Sequence, residues 1–173
     1  MASPPTLTSE PRLVVTGHND DGTSVFAADH TITPFAPFGP QGSTFVNLDL
    51  RSSIPVSNQD AVNQAGGTIP RAPPGGLNFC IANYPPGCVV PMHRTLSLDW
   101  IVVLSGEIVL ALDNGEEKTV RAGEFIVQAG TNHQWFNRTS EVCQMAFVLL
   151  DAKKVSLGDG TQLDATVMKL GKD

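Results

Sequence analysis

Two segments of the chain carry side chains suited to acid–base or metal chemistry. The first contains His93 and Asp99, and the second contains His133. An imidazole titrates near neutral pH and can carry protons between groups. Neutral imidazoles and a carboxylate also suit a divalent ion of Fe, Mn, Ni, Cu or Zn. Taken alone, however, the two histidines are more simply explained as buried side chains whose hydrogen bonds are made within the protein.

Short strands separated by turns are the elements that must position these side chains. Residues 77–84 alternate, with apolar Leu77, Phe79 and Ile81 on one face, and Asp113-Asn114-Gly115 is a strong hairpin signal. The strands predicted here span residues 77–84, 88–93, 98–104, 107–112, 117–121, 124–128, 133–137 and 144–150. Many short strands with closely spaced turns predict an all-β sandwich or barrel. The chain therefore divides into a barrel core (77–150), an N-terminal part of the same domain (1–76) and a C-terminal strand or arm (151–173).

The N-terminal part combines short strands with Pro/Gly-rich segments. Its predicted strands span residues 12–16, 25–27 and 44–50. Residues 33–42 hold three prolines together with Phe35 and Phe38, which predicts an irregular arm that anchors to the barrel or closes over its mouth. Residues 51–76 form a long loop of the kind that serves as a lid or an oligomer arm, with one helical turn expected at 60–65.

Composition excludes several classes of function. The chain has 173 residues, which suits one domain, with 41% hydrophobic residues and a formal net charge of −6. It has no Lys/Arg cluster, so we expect no nucleic-acid or membrane partner. Three cysteines, no secretory segment and no apolar run of membrane-spanning length predict a cytoplasmic protein without a disulfide framework. There is no phosphate-binding loop, and no nucleotide cofactor is expected.

The first of the two segments resembles the first motif of the cupin superfamily. That motif runs Gly, five residues, His, any residue, His, three or four residues, Glu, six residues, Gly. Gly87, His93, Thr95, Asp99 and Gly106 stand at its positions. Two positions depart from the metal-binding form of the motif. Thr95 replaces the second His, and Asp99 replaces Glu and is one methylene shorter.

The second segment resembles the second cupin motif, which runs Gly, a short hydrophobic strand, Pro-x-Gly, two residues, His, three residues, Asn. Gly123, Gly130, His133 and Asn137 match it, with Gln128 in the Pro place and one residue fewer. The resemblance covers about residues 77 to 150. It extends to a small single-domain subgroup found in bacteria and in fungal secondary-metabolite gene clusters.

This resemblance implies a jelly-roll β-barrel with N-terminal extension strands and a pocket inside the barrel. In that frame His93, Asp99 and His133 are the candidate catalytic residues, and the same three would be the ligands of a divalent metal, if one is bound. Strand alternation and proximity add candidate substrate-binding residues: Thr95, Ser97, Gln128, Trp135 and Asn137. Because cupin barrels commonly pair through N-terminal strands, a homodimer is expected.

Three functions remain open at this point. The first is a lyase of secondary metabolism, a decarboxylase or dehydratase acting on a polyketide-like or small organic acid intermediate. In it, His133 would be the acid/base and Asp99 its carboxylate partner. The second is a metal-dependent oxygenase or oxidoreductase using the same three residues as ligands. The third is a non-catalytic cupin that binds a small molecule.

Overall fold

The computed structural model describes residues 10–39 and 41–166, and these residues contain strands and turns but no helix. Thirteen strands are formed in this part of the chain: β1 (Arg12–His18), β2 (Ser24–Thr31), β3 (Thr44–Arg51), β4 (Leu77–Tyr84), β5 (Val89–His93), β6 (Ser97–Ser105), β7 (Glu107–Leu112), β8 (Glu117–Arg121), β9 (Phe125–Ala129), β10 (His133–Phe136), β11 (Cys143–Asp151), β12 (Val155–Ser156) and β13 (Gln162–Leu163). The all-β prediction is confirmed.

Two antiparallel sheets form the barrel. One has the order β5-β10-β7-β8, and the other has the order β3-β4-β11-β6-β9. The main core lies between them and includes Trp135, Met145 and Phe147. Two strand pairings position the candidate site. Pairing of β10 with β5 sets His133 opposite His93, and pairing of β6 with β9 sets Asp99 opposite Gln128.

The N-terminal strands have two different roles. Strand β3 joins the edge of the five-stranded sheet, whereas β1 and β2 form a separate hairpin. Leu13 and Ile32, from the hairpin and the residue after it, pack against Val46, Leu48 and Ile81 on the outer face of that sheet. The β1–β2 hairpin and the residue after it therefore cover the β3–β4 end of this face.

The turn after β6 explains one glycine of the first motif. Gly106 has a φ of 72°, a conformation that L side chains rarely adopt. A Cβ atom placed there would also lie 2.8 Å from the carbonyl oxygen of Val142. Backbone conformation and the close approach of a neighbouring segment both require glycine at this turn.

The strand boundaries agree closely with the sequence-based expectation. The predicted strands 77–84, 107–112 and 117–121 have the bounds that the structure shows, and the other barrel strands differ by one or two residues at an end. The helical turn expected at 60–65 is wrong, because these residues form no helix and Leu50 N donates to Asn63 O. Expectations for residues 1–9, Pro40 and 167–173 lie outside the described residues.

Among the described residues, no helix is both long enough and apolar enough to cross a membrane.

Candidate functional site

A cavity opens between the two sheets at the place where the predicted site residues meet. It encloses about 650 Å³, part of which is open to solvent. Its polar lining residues are Ser43, Arg71, His93, Thr95, Ser97, Asp99, Gln128 and His133. Of the eight site residues predicted from the sequence, all except Asn137 line this cavity.

The two histidines lie against each other on neighbouring strands. Their ring centroids are 4.2 Å apart. In each ring, Nδ1 bonds the backbone carbonyl two residues earlier, Pro91 O at 2.8 Å for His93 and Thr131 O at 3.0 Å for His133. Because a carbonyl only accepts hydrogen bonds, Nδ1 carries the proton in the neutral ring and Nε2 keeps its lone pair. Both rings line the cavity, and the basic Nε2 of each ring is left free of these backbone bonds.

Burial keeps both rings neutral. It lowers the pKa of His93 below the ordinary 6.5, although the bond to Pro91 opposes this shift. Burial, followed by the positive charge of a protonated His93, lowers the pKa of His133 to about 4. Neutral rings at physiological pH are the form that accepts a proton, so the pair suits general base catalysis.

Asp99 and His133 are linked through Gln128, not directly. The amide Nε2 of Gln128 donates to Asp99 Oδ2 at 3.0 Å and lies 3.3 Å from His133 Nε2. The expectation that Asp99 is the immediate carboxylate partner of His133 is therefore corrected, since the ring is oriented by the backbone of Thr131. Asp99 Oδ1 and Gln128 Oε1 are buried without a hydrogen-bond donor from the described residues.

Two hydroxyls flank the carboxylate. Ser97 Oγ donates to Thr95 Oγ1 at 2.9 Å, and both residues line the cavity. Burial raises the pKa of Asp99, while the nearby hydroxyl of Ser97 and the amide of Gln128 oppose that shift.

The residues do not fit the expected three-ligand metal site. In the described part of the chain, no three His, Cys, Asp or Glu side chains are placed to bind one metal ion together. The amide of Gln128, between Asp99 Oδ2 and His133 Nε2, occupies the position where carboxylate and imidazole would have to converge. The expected ligand set of His93, Asp99 and His133 is therefore corrected on this geometry.

Aromatic side chains form much of the apolar wall. Trp135 is 2% exposed, lines the cavity and meets the His133 ring edge-on at 5.4 Å between centroids. Phe38, from the Pro-rich arm, also lines the cavity and packs edge-on against Phe45. Phe35 contacts the other side of Phe45 and is held by a β-bridge to it. The arm is thus anchored to the barrel, with Phe38 at the cavity.

Arg71 is the one charged cavity residue, among the described residues, that sequence analysis missed. It belongs to the long 51–76 segment, remains partly solvent-exposed and is the one Lys or Arg among the described residues that line the cavity. No local pattern marks it, because its place in the site depends on how the loop crosses the barrel. Arg94, in the first motif, instead bonds Gly130 O and Asp164 O, away from this cavity.

Asn137 has a structural role. Strand β10 ends at Phe136, so strand alternation no longer directs the next side chain into the barrel. The amide of Asn137 donates to Tyr84 O at 2.8 Å and Glu141 O at 2.7 Å, and its oxygen accepts from Thr139. The prediction that Asn137 faces the pocket is wrong, because its side chain ties together the turn between β10 and β11.

The cysteines offer no nucleophile. Cys80 lines the cavity, but burial raises its pKa to about 12. Burial also raises the pKa of Cys143 to about 12. Both thiols stay protonated at neutral pH and behave as small apolar side chains.

Comparison with known proteins agrees with this architecture. The cupin domain family matches residues 80–150 of the chain. Phomopsin biosynthesis cluster proteins C' and D of Diaporthe leptostromiformis are each 35% identical over 172 residues, covering 94% of this chain and 89% of the relative. The cupin-domain-containing oxidoreductase fogC of Aspergillus ruber is 30% identical over 166 residues, covering 92% of this chain and 81% of the relative.

Among solved structures, the polyketide cyclase RemF of Streptomyces resistomycificus matches 76% of this chain and 74% of its own. The TM-score is 0.47 and the sequence identity 17%. The family match over the barrel, the relatives that match nearly the whole chain and the two-sheet strand order agree with one another. The chain therefore belongs to the cupin superfamily.

Proposed function

We propose that this cupin is an enzyme of secondary metabolism that eliminates water from a small hydroxylated carbonyl compound. The observation that carries the proposal is the pair of adjacent neutral imidazoles, each with an unprotonated Nε2, in the lining of a partly open, aromatic-walled cavity. Relatives named as products of phomopsin and oryzine biosynthesis clusters support a role in secondary metabolism. Elimination is the lyase reaction that most directly needs a neutral base next to the substrate.

The chemistry assigns a separate role to each group. His93 Nε2 has no protein hydrogen-bond partner among the described residues, whereas His133 Nε2 is within hydrogen-bond distance of Gln128. His93 is therefore the base that removes the proton from carbon next to the carbonyl. The electron pair forms the carbon–carbon double bond as the hydroxyl leaves. The imidazolium then gives the same proton to the leaving hydroxyl, so water forms and His93 becomes neutral again.

The mass of the product tests this proposal. The purified protein is incubated with a panel of β-hydroxy ketones and aromatic hydroxy acids, with chelator and without oxygen. The expected product has lost one water. Loss of carbon dioxide would replace the dehydratase by a decarboxylase. A product that has lost two hydrogens or gained one oxygen, and that forms only after metal and air are added back, would contradict a lyase.

An oxidoreductase is the second candidate, because relatives such as fogC of Aspergillus ruber and virC of Hypocrea virens carry that name. Such a reaction requires an electron acceptor. The two Nε2 atoms of His93 and His133 offer two ligand positions for a redox metal, while Asp99 is bonded to Gln128. Metal analysis of the purified protein, beside the product masses above, separates the two candidates.

We also propose that the chain forms a homodimer through an apolar face of the five-stranded sheet. Trp100 and Val127 are cross-strand neighbours that are 46% and 67% exposed, and Phe125, two residues before Val127, is 77% exposed. The β1–β2 hairpin covers the other end of this face. An uncharged apolar patch suits a second copy of itself, since pairing brings no like charges together.

Replacement of Phe125 by glutamate is expected to convert the dimer to monomer, because a carboxylate would be buried at the interface. Sedimentation of the variant beside wild-type protein measures this. Phe26→Glu is the matched control, since Phe26 is 78% exposed on the separate hairpin. A dimer that dissociates only in Phe26→Glu would instead assign the interface to the N-terminal strands, and a monomeric wild type would refute both.

A further inference from the structure

The polar groups of the cavity are not all satisfied by the protein. Asp99 is 3% exposed and Gln128 is 4% exposed, and both line the cavity. Their amide and carboxylate are joined by one hydrogen bond, which leaves Asp99 Oδ1 and Gln128 Oε1 buried without a protein donor. Two adjacent buried acceptors without donors are the complement of a ligand hydroxyl or N–H group.

A side chain rich in hydrogen-bond donors, Arg71, lies at the mouth of the cavity. Arg71 donates Nη1 to Pro70 O, its own neighbour, at 2.7 Å. None of the ion pairs formed among the described residues uses Arg71. The guanidinium has five N–H groups in a planar fork that matches a carboxylate. Most of these donors are therefore available to a ligand entering the cavity.

The backbone at Arg71 is held in place by the barrel. Asn78, 1% exposed on β4, donates Nδ2 to Arg71 O at 3.3 Å and to Asn47 Oδ1 at 2.8 Å. Asn47 in turn donates to Thr68 O at 2.8 Å, three residues before Arg71. These bonds hold the backbone near the end of the 51–76 segment against strands β3 and β4. The position of Arg71 is therefore determined by contacts with the barrel as well as by the loop.

The charge of Arg71 acts on the inner groups of the site. Burial is the main cause that shifts the pKa values of Asp99, His93 and His133, and the guanidinium lowers the pKa of each. Arg71, Asp99, Gln128 and both histidines line the same cavity. The cationic mouth, aromatic wall and acceptor-rich inner end lie along one cavity.

We propose that the cavity selects an aromatic or similarly flat organic acid that also carries a hydroxyl or N–H group. The acid group binds Arg71 at the mouth, and the hydroxyl or N–H group donates its hydrogen to Asp99 Oδ1 or to Gln128 Oε1 inside. The inference names the substrate class of the proposed enzyme and so rests on the proposed function.

Calorimetric binding of matched probes tests the proposal without requiring turnover. The probes are para-hydroxybenzoate, its methyl ester, which lacks the charge, and para-methoxybenzoate, which lacks the donor. Wild-type protein is expected to bind para-hydroxybenzoate at least about tenfold more tightly than either analogue, as expected for a charge-assisted bond or a buried donor–acceptor pair. Equal affinities, or no saturable binding by any probe, would overturn the proposal.

Arg71→Gln is the informative variant, because Arg71 lies at the partly exposed mouth. It is expected to weaken binding of the acid about 10- to 100-fold and to leave binding of the ester unchanged. Arg138→Gln is the matched control. It removes the same charge from an exposed pair with Glu117 outside the cavity and should change neither affinity. Equal weakening of acid and ester by Arg71→Gln would contradict the proposal.

Two outcomes distinguish recognition of the acid by Arg71 from the dehydratase activity. A protein that binds the acid through Arg71 but never forms a dehydrated product would keep the inference and lose the proposed function. Dehydration of a neutral hydroxy ketone at the same rate in wild type and Arg71→Gln would keep the function and lose the inference.

Discussion

Replacement of His93 by asparagine is expected to lower kcat about 10²- to 10⁴-fold, the range for loss of a positioned general base. The asparagine Nδ2 can still donate to Pro91 O in place of the imidazole Nδ1, which holds the local backbone as it is. The variant lacks only the basic Nε2 of the ring. Steady-state kinetics on the substrate found by product mass, with thermal unfolding beside them, measure the effect.

His133→Asn is the matched control for that variant. The same substitution preserves the bond to Thr131 O, but removes an Nε2 that already lies within hydrogen-bond distance of Gln128. It is expected to cost about tenfold in kcat, the effect of losing one positioning hydrogen bond. Equal losses in the two variants, or a larger loss at His133, would contradict the assignment of His93 as the base.

Acidification is expected to remove about 3 kcal/mol of the free energy of unfolding through His133 alone. Its pKa is about 4 in the folded protein against 6.5 as the ordinary value. As pH falls below about 6.5, His133 of the unfolded chain becomes protonated, whereas His133 of the folded protein stays neutral until about pH 4. The stabilisation is therefore complete above the unfolded pKa and is lost between these two values. His93 acts in the same direction, because burial also lowers its pKa.

Comparison with a variant isolates this contribution. Asp99 acts in the opposite direction, because burial raises its pKa, but it is present in both proteins. Urea unfolding of wild type and His133→Asn at neutral pH and near pH 4 gives the difference in the free energy of unfolding. That difference should shrink by about 3 kcal/mol on acidification. A difference that is independent of pH would show that His133 has no lowered pKa.

Most of the barrel could be predicted from the sequence because its signals are local. The alternation over 77–84 and the Asp113-Asn114-Gly115 turn determine strand type and hairpin position without reference to the rest of the chain. The prediction of a helical turn at 60–65 was wrong because non-local contacts determine this segment. Asn63 bonds Leu50 and Asp49 of β3, and these tertiary contacts hold the segment in an irregular conformation.

The candidate site could be predicted only in part. Motif spacing brought His93, Asp99 and His133 into one pocket, and alternation placed Trp135 in its wall. Their mutual contacts depend on non-local register. Gln128 separates Asp99 from His133 because β9 pairs with β6, and no short sequence window contains that pairing. Arg71 reaches the cavity through a loop whose path is fixed by buried asparagines on other strands.

The nitrogen-15 spectrum of the histidines at neutral pH tests the central claim most directly, since it needs neither substrate nor metal. The four histidines of the chain include His18 and His30, which are exposed and provide references. We expect His93 and His133 to be neutral, with the proton on Nδ1 and an unprotonated Nε2. We also expect the Nε2 signal of His93 to shift when para-hydroxybenzoate is added. A protonated ring, or a proton on Nε2 of His93, would contradict its role as the base.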